Sequence, residues 1–273
     1  AMEGMNSHVS RVIADEAAEL QPDLFLVYMG NNEVVGPYGA SDVFGGYTSS
    51  LGVIRASLWL KSTRTGQLAG RIIAALSGRG EQVFKGMESF AGAAVRADDP
   101  RLGATYDNFA GNLAAIRDAA ARAGAKAIVC TIASNLRDCP PFISSRRTQL
   151  SDADRARFDE LCAAGRAKAS AGDYQAAMEQ FSQAATIDPD SANLEYWMGQ
   201  CHLASGQASQ AREHLIRSRD LDALRVRADT KINDVLRQAG KRYDGFVDFE
   251  KILAADGLSR EGLPGAELLL DHV

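Results

Sequence analysis

The strongest constraint on the fold is an internal repeat within an alanine-rich stretch, residues 151–222. Shifted by 34 residues, this stretch aligns with itself at both its small and its large side chains. Small residues let two helices approach closely, and a large apolar residue fills the gap that remains. We therefore predict two packed helix pairs; two unrelated alanine-rich hairpins are the alternative. The matched positions are Gly165 with Gly199, Gly172 with Gly206, Ala177 with Ala211, and Phe181 with Leu215.

This pattern resembles the tetratricopeptide repeat. The first copy also has Ala184 and ends in Asp188-Pro189, and Ser151 with Asp154 three residues later predicts a helix start. Two repeats bury too little apolar surface to be stable alone, so we expect them to pack against the rest of the chain. Because such repeats form concave surfaces, a protein partner at the repeats is one expectation.

The parts of the chain on both sides of the repeats alternate apolar runs with segments of helical periodicity. This order predicts an α/β sandwich with a parallel sheet. The run 24–29 is continuously apolar, which predicts a strand buried on both faces. We interpret residues 35–105 as a connection over the sheet edge, with helices near 51–60 and 67–77. The other predicted elements are strands at 127–132 and 245–248, and helices at 8–20, 109–123 and 228–239.

The repeats interrupt the α/β pattern, which resumes after Asp222. We therefore predict that they are an insertion in a surface loop of one larger domain. On this interpretation residues 1–150 are the first part of the α/β domain, residues 151–222 are the inserted repeats, and residues 223–273 are the final part of the α/β domain.

Composition argues against several classes of function. The net charge is −5 and no run of five or more basic residues occurs, so binding to nucleic acid is not expected. Dinucleotide-binding and P-loop motifs are absent, and the four histidines lack the spacing of metal ligands, so neither a cofactor nor a metal is expected. The four cysteines form no Cys-x-x-Cys pair. A bridge between Cys130 and Cys139 is left open.

Two short segments carry candidate chemistry. The first predicted strand ends in Gly30-Asn31-Asn32-Glu33, and ligands of parallel sheets bind at the carboxyl ends of the strands. An asparagine amide there could donate a hydrogen bond to an oxyanion, although a simple turn accounts for the same residues. The second segment is Asp271-His272, a carboxylate next to an imidazole. Taken alone, it is interpreted as a solvated terminus.

Together, these segments resemble the SGNH (GDSL-like) ester hydrolases, in a bacterial subgroup that carries tetratricopeptide repeats between its sequence blocks. Gly30 to Glu33 resembles the Gly-x-Asn-Asp block, with Glu33 where Asp is usual. Gly4 lies about where the family has its oxyanion glycine, and Asp271 matches the first residue of the Asp-x-x-His block. The resemblance implies a flavodoxin-like, three-layer fold with a parallel sheet, incomplete here, and an inserted all-α module of helix pairs.

The resemblance also implies acyl-ester cleavage by Ser-His-Asp chemistry. Gly4 and Asn32 would hold the oxyanion, Asp271 would orient the histidine, and Gly30, Asn31 and Glu33 would form a supporting loop. The catalytic serine would precede residue 1 and the histidine would follow Val273. Because serine and histidine act as one unit, we expect the 273-residue chain to be inactive. No substitute is expected among Ser7, Ser41, His8, His202 and His214; we expect His8 to lie on the surface of its helix.

The expected substrate is a small-molecule, glycan or lipid ester, and the sequence does not indicate which. The first strand of the sheet is also expected to precede residue 1. Localisation is left open, including a membrane anchor or an extracytoplasmic site. The alternative function is a protein-interaction scaffold, in which tetratricopeptide repeats bind a partner and the SGNH-like domain is not catalytic.

Overall fold

The computed structural model describes residues 4–44, 46–68, 72, 94–147 and 149–273. The predicted helix at 67–77 lies mostly outside these residues. In the described ranges, no helix combines the length and apolar character needed to cross a membrane. The elements are α1 (Ser7–Ala18), β1 (Leu24–Val27), α2 (Leu51–Ser62), α3 (Arg101–Arg122), β2 (Lys126–Cys130), α4 (Asp152–Ser170), α5 (Tyr174–Ile187), α6 (Ala192–Ala204), α7 (Ala208–Leu221), α8 (Thr230–Gly240), β3 (Gly245–Val247) and α9 (Phe249–Ala255).

Several helices begin at a side chain that satisfies a free backbone N–H group. The predicted start at Ser151 is an example, because its Oγ accepts a hydrogen bond from the Asp154 amide at 3.1 Å. Asp229 caps α8 in the same way, accepting from the Ile232 amide at 2.9 Å. Such caps determine where each helix starts. Further caps of this type are Ser50, Asp173 and Ser191.

The three strands form one parallel sheet in the order β1-β2-β3. Parallel strands end at the same edge, so the loops that follow them share one side of the sheet. Helices α3 and α8 pack on the face that carries Val27 and Val129, and Phe109, Leu113 and Leu236 complete this core. The sheet therefore positions the segments after each strand at one carboxyl edge.

The prediction that the first strand is buried on both faces is wrong for the described residues. Phe25 and Val27 face the helical core, whereas Leu26 on the opposite face is 66% exposed and Leu24 is exposed as well. A continuous apolar run does not tell which of its two faces a neighbour will cover. The described residues form a mixed fold with a small parallel sheet and helical repeats, and they do not form a complete three-layer sandwich.

Helices α4 to α7 form two pairs with the same internal packing. Phe181 of α5 lies against Gly165 of α4, and Leu215 of α7 lies against Gly199 of α6. A Cβ atom at Gly199 would lie 2.7 Å from Leu215 Cγ, so a larger side chain does not fit there. Glycines with positive φ, +80° at Gly172 and +71° at Gly206, follow the first helix of each pair. These are the contacts that the 34-residue period predicts.

The segment 222–229 connects the repeats to the sheet, and it contains two buried ion pairs. Arg227 lies 3.0 Å from Asp222, and Arg225 lies 2.7 Å from Asp229. All four side chains are buried. Asp222 also accepts hydrogen bonds from the amides of Phe142, Ile143 and Leu224. We call this segment the junction; the domain division at 150 and 222 stays a prediction.

The four cysteines, Cys130, Cys139, Cys162 and Cys201, are all free. Cys130 and Cys201 are buried, and the other two are partly buried. The bridge between Cys130 and Cys139 that the sequence left open is therefore not formed.

The contact between Gly165 and Phe181 can be tested by adding one methyl group. Gly165→Ala is expected to lower the free energy of unfolding by about 1–3 kcal/mol, because the new Cβ would overlap the Phe181 ring. Urea denaturation measures the change. Gly103→Ala in α3 is the control, since nothing lies within 4 Å of its added Cβ. The control should be neutral or stabilising by up to about 1 kcal/mol; equal stability of both variants would contradict the tight packing.

Candidate functional site

The loop after β1 contacts the start of α8. A Cβ atom at Gly30 would lie 2.7 Å from Ile232 Cγ2, so only glycine lets the loop approach this closely. Asn31 Oδ1 accepts a hydrogen bond from the Ala228 amide at 3.3 Å. These two contacts fix the loop at the carboxyl edge of the sheet, and they give Gly30 and Asn31 a supporting position.

Asn32 lies beside the segment that carries Gly4. Its Nδ2 donates to the Met5 carbonyl at 3.1 Å, and its carbonyl accepts from the Gly36 amide at 2.7 Å. Gly36 lies between the two segments, and a Cβ atom added to it would lie 2.9 Å from the Gly4 carbonyl oxygen, so the two segments are close together there. The structure thus brings together two residues predicted to hold an oxyanion, although 28 positions separate them in the sequence.

Glu33 ties the same loop to the start of α1. Its carboxylate accepts from the Ser7 amide at 2.8 Å and from the Ser7 hydroxyl at 2.7 Å. Asn112 of α3 donates to Ser7 Oγ at 2.9 Å and lies 2.9 Å from His8 Nδ1. The expectation that His8 lies on the helix surface is wrong: His8 is only 5% exposed, because α1 packs against α3 on that side.

Burial changes the pKa of two groups in this network. It raises the pKa of Glu33 to about 7, although the hydrogen bonds from Ser7 act in the opposite direction. Burial, together with the positive charges of Arg55 and Arg11, lowers the pKa of His8 to about 4. The His8 imidazole is therefore neutral at physiological pH, whereas the Glu33 carboxyl changes its charge near physiological pH.

Residues 271–273, which we call the tail, lie against the loop that follows β2. The Asn135 amide donates to the His272 carbonyl at 3.0 Å, and Asn135 Nδ2 donates to the Asp271 carbonyl at 3.1 Å. The Asp271 side chain is exposed, and its Oδ2 lies 3.3 Å from His272 Nδ1. The Asp271 side chain is therefore solvated, as its interpretation from the sequence alone predicts, whereas its backbone carbonyl is bound to Asn135 near the edge of the sheet.

The Asn32 loop contacts the junction directly, and the tail is linked to it through Phe142. Among the described residues, no hydrogen bond joins the tail to the Asn32 loop. The Arg227 guanidinium lies 5.8 Å from the centre of the Phe142 ring, and the His272 ring packs edge-on against Phe142 at 5.6 Å. The next residue, Ala228, is the one that donates to Asn31. The predicted oxyanion residues and Asp271 thus occupy two parts of one edge, linked by residues 227–228.

The helical repeats form a second candidate site. A groove of about 440 Å³ lies between α4, α6 and residues 144–146, and we call it the repeat groove. Ser144 Oγ accepts from the Asn193 amide at 3.1 Å, and Arg146 pairs with Asp159 at 2.5 Å. Apolar and basic side chains dominate the rest of the lining: Phe158, Cys162, Ala163, Arg166, Phe181, Leu194 and Trp197.

Comparison with known proteins identifies these helices. Residues 168–228 match the family model of the tetratricopeptide repeat. This confirms a tetratricopeptide repeat over residues 168–228, which include α5 to α7, whereas most of α4 lies outside the match. No curated protein and no solved structure shows significant similarity to the chain. The resemblance of the remaining residues to SGNH hydrolases stays a prediction.

The spacing of three groove residues in the sequence already indicates that they share one face of a helix. Phe158, Cys162 and Arg166 recur every four residues, which puts them on one face of α4 beside the tetratricopeptide core. No such signal existed for Asn112, because it meets Ser7 across 105 positions of sequence.

The network of Glu33 and His8 predicts how stability depends on pH. A raised folded-state pKa means that the contribution of Glu33 is full below pH 4.5 and lost as pH rises through about 7. A lowered pKa means that the contribution of His8 is lost as pH falls from about 6.5 to about 4. The two effects oppose each other between pH 4.5 and 6.5.

Glu33→Gln should therefore gain stability relative to the wild type as pH rises from 4.5 to 8, by on the order of 3 kcal/mol. Urea denaturation at a series of pH values measures this difference. Glu179→Gln, which makes the same charge change at an exposed position, is the control. If both variants follow the wild type in parallel, Glu33 does not titrate as described.

Proposed function

We propose that the tetratricopeptide repeats bind an extended segment of a partner protein in the repeat groove. The observation that carries this proposal is that the chain's own residues 144–146 already lie along one wall of the groove. They do so through the hydrogen bond of Ser144 with the Asn193 amide and the ion pair of Arg146 with Asp159. The groove thus already holds one non-helical segment of polypeptide, and its lining leaves apolar surface for another.

The chemistry of the lining favours an acidic partner with apolar side chains. Phe158, Leu194 and Trp197 offer apolar contacts, and aromatic residues often supply most of the energy of such interfaces. Arg166 is exposed at the groove, and no ion pair is recorded for it among the described residues. An unpaired guanidinium beside apolar surface favours a carboxylate in the bound segment.

Peptide selection from a random displayed library, followed by fluorescence anisotropy, tests this proposal. The 273-residue chain should enrich acidic peptides, and Arg166→Glu should weaken their binding roughly tenfold because it reverses the charge that meets them. Arg157→Glu makes the same change on the same helix outside the groove and is the control. Peptides that bind both variants as well as the wild type would contradict the assignment of the groove.

We propose ester hydrolysis as a second candidate function, on an α/β domain of residues 1–150 and 223–273 with an incomplete flavodoxin-like sheet. The observation that favours it is the proximity of Asn32 and the Gly4 segment at the carboxyl edge of a parallel sheet. In this proposal Gly4 and Asn32 hold the oxyanion of an ester substrate, and Asp271 orients a histidine that follows Val273. Asn32 Nδ2 carries a second N–H group besides the one that meets Met5.

The reading frame on both sides of residues 1–273 provides the first test of this second function. A Gly-Asp-Ser segment upstream and a histidine directly after Val273 would support it. In a chain that has both, Asn32→Ala should lower kcat for p-nitrophenyl acetate by about 100-fold or more, as loss of an oxyanion donor does. Asn193→Ala, in the repeat groove, is the control. A frame that lacks both segments, or full activity of Asn32→Ala, would contradict it.

A further inference from the structure

Helix α2 presents an apolar face to solvent. Val53 is 57% exposed, Trp59 is 69% exposed and Leu60 is 50% exposed. At 3.6 residues per turn these three side chains lie on one side of the helix, and Ala56 lies between them. Ile54 lies on the other side and is completely buried. Apolar side chains thus lie on both sides of α2, and Val53, Trp59 and Leu60 face away from the rest of the described structure.

Polar contacts explain this orientation. The Tyr38 hydroxyl lies 3.0 Å from Ser57 Oγ and accepts a hydrogen bond from Lys61 Nζ at 3.0 Å. Arg55 donates to the Gly111 carbonyl of α3 at 3.2 Å. These three side chains attach the polar side of α2 to the rest of the molecule. The apolar side consequently points outward.

Within residues 43–68 every charged side chain is basic, while the exposed Asp42 directly precedes this stretch. Residues 43–68 contain Arg55, Lys61 and Arg64 but no Asp or Glu, in a chain whose net charge is −5. None of the ion pairs recorded for the described part of the chain involves these residues. Two further exposed apolar side chains, Leu68 and Ile72, follow α2 in the sequence. Apolar surface, an exposed tryptophan and basic charges thus occur together.

We propose that α2 binds the surface of a bilayer that contains anionic lipids, with Val53, Trp59 and Leu60 inserted among the lipid headgroups. Exposed apolar side chains beside basic ones insert into such a surface, where tryptophan is favoured at the boundary between headgroups and acyl chains. The twelve residues of α2 fit this arrangement. The exposed basic residues Lys61 and Arg64 favour anionic lipid headgroups as the occupant.

Vesicle flotation of the 273-residue chain tests this proposal. Vesicles of phosphatidylcholine with phosphatidylglycerol should carry the protein, whereas pure phosphatidylcholine should carry much less, and high salt should reduce binding. The double variant Trp59→Ala, Leu60→Ala should lower the partition coefficient at least about tenfold. Leu258→Ala, at another exposed leucine, is its control and should bind like the wild type.

A charge reversal tests the electrostatic part separately. Arg64→Glu should weaken binding to the anionic vesicles roughly tenfold. Lys168→Glu, an exposed reversal in α4 with the same change of net charge, should leave binding unchanged. Equal losses in both variants would mean that overall charge, rather than this surface, drives binding, and would overturn the proposal.

Tryptophan fluorescence locates the inserted surface. The chain has two tryptophans, so Trp197→Phe leaves Trp59 as the reporter. Its emission should shift to shorter wavelength on addition of anionic vesicles and should be quenched by brominated acyl chains. Absence of a shift and of flotation would overturn the proposal. So would a dimer in light scattering that Trp59→Ala abolishes, because the apolar face would then be an interface between two copies.

Discussion

The buried ion pairs of the junction are the interaction on which the arrangement of the molecule depends. Asp222 and Asp229 lie at opposite ends of an eight-residue segment, each paired with an arginine that is itself buried. Removing one partner of such a pair leaves an unpaired charge out of water, which typically costs about 3–5 kcal/mol. The backbone amides of Phe142 and Ile143 complete the shell around Asp222. The ion pairs stabilise the segment itself, and its hydrogen bonds to Phe142, Ile143 and the Cys139 carbonyl attach it to the loop after β2.

This junction also organises the carboxyl edge of the sheet. The backbone of Ala228 meets Asn31, the side chain of Arg227 meets Phe142, and Phe142 meets His272. The segment that ends the repeats thus contacts the loops that follow β1 and β2, and it is linked to the tail through Phe142. Residues 227 and 228 therefore contact both parts of the candidate site, Ala228 through Asn31 and Arg227 through Phe142. The proposed peptide groove and the proposed ester site share this connection.

Two surfaces of the molecule carry distinct chemistry. The repeat groove is partly filled by the chain's own residues 144–146, and its free lining combines aromatic rings with Arg166. Helix α2 instead presents a convex apolar face beside basic residues. A groove suits an extended polypeptide, which can bury its backbone donors and acceptors against it. A convex helix suits a fluid surface, which adapts its shape to the side chains that insert into it.

The sequence by itself determined the features that depend on contacts between near neighbours. Gly165 and Phe181 are sixteen positions apart and repeat as Gly199 and Leu215, so the period alone predicted the helix pairs. The sequence pattern also predicted the three strands and the start of α4 at Ser151, whose hydroxyl accepts a hydrogen bond from the Asp154 amide.

Only the tertiary structure decided which side of an element is covered and which distant groups meet. The exposure of Leu26 depends on which layers pack on its sheet, and the burial of His8 depends on α3, which lies about 100 positions away. The contact of Asn32 with Met5 depends on the parallel pairing that aligns the strand ends. Periodicity records the local pattern of polarity, whereas these contacts arise from how whole elements pack, and a local pattern carries no information about that.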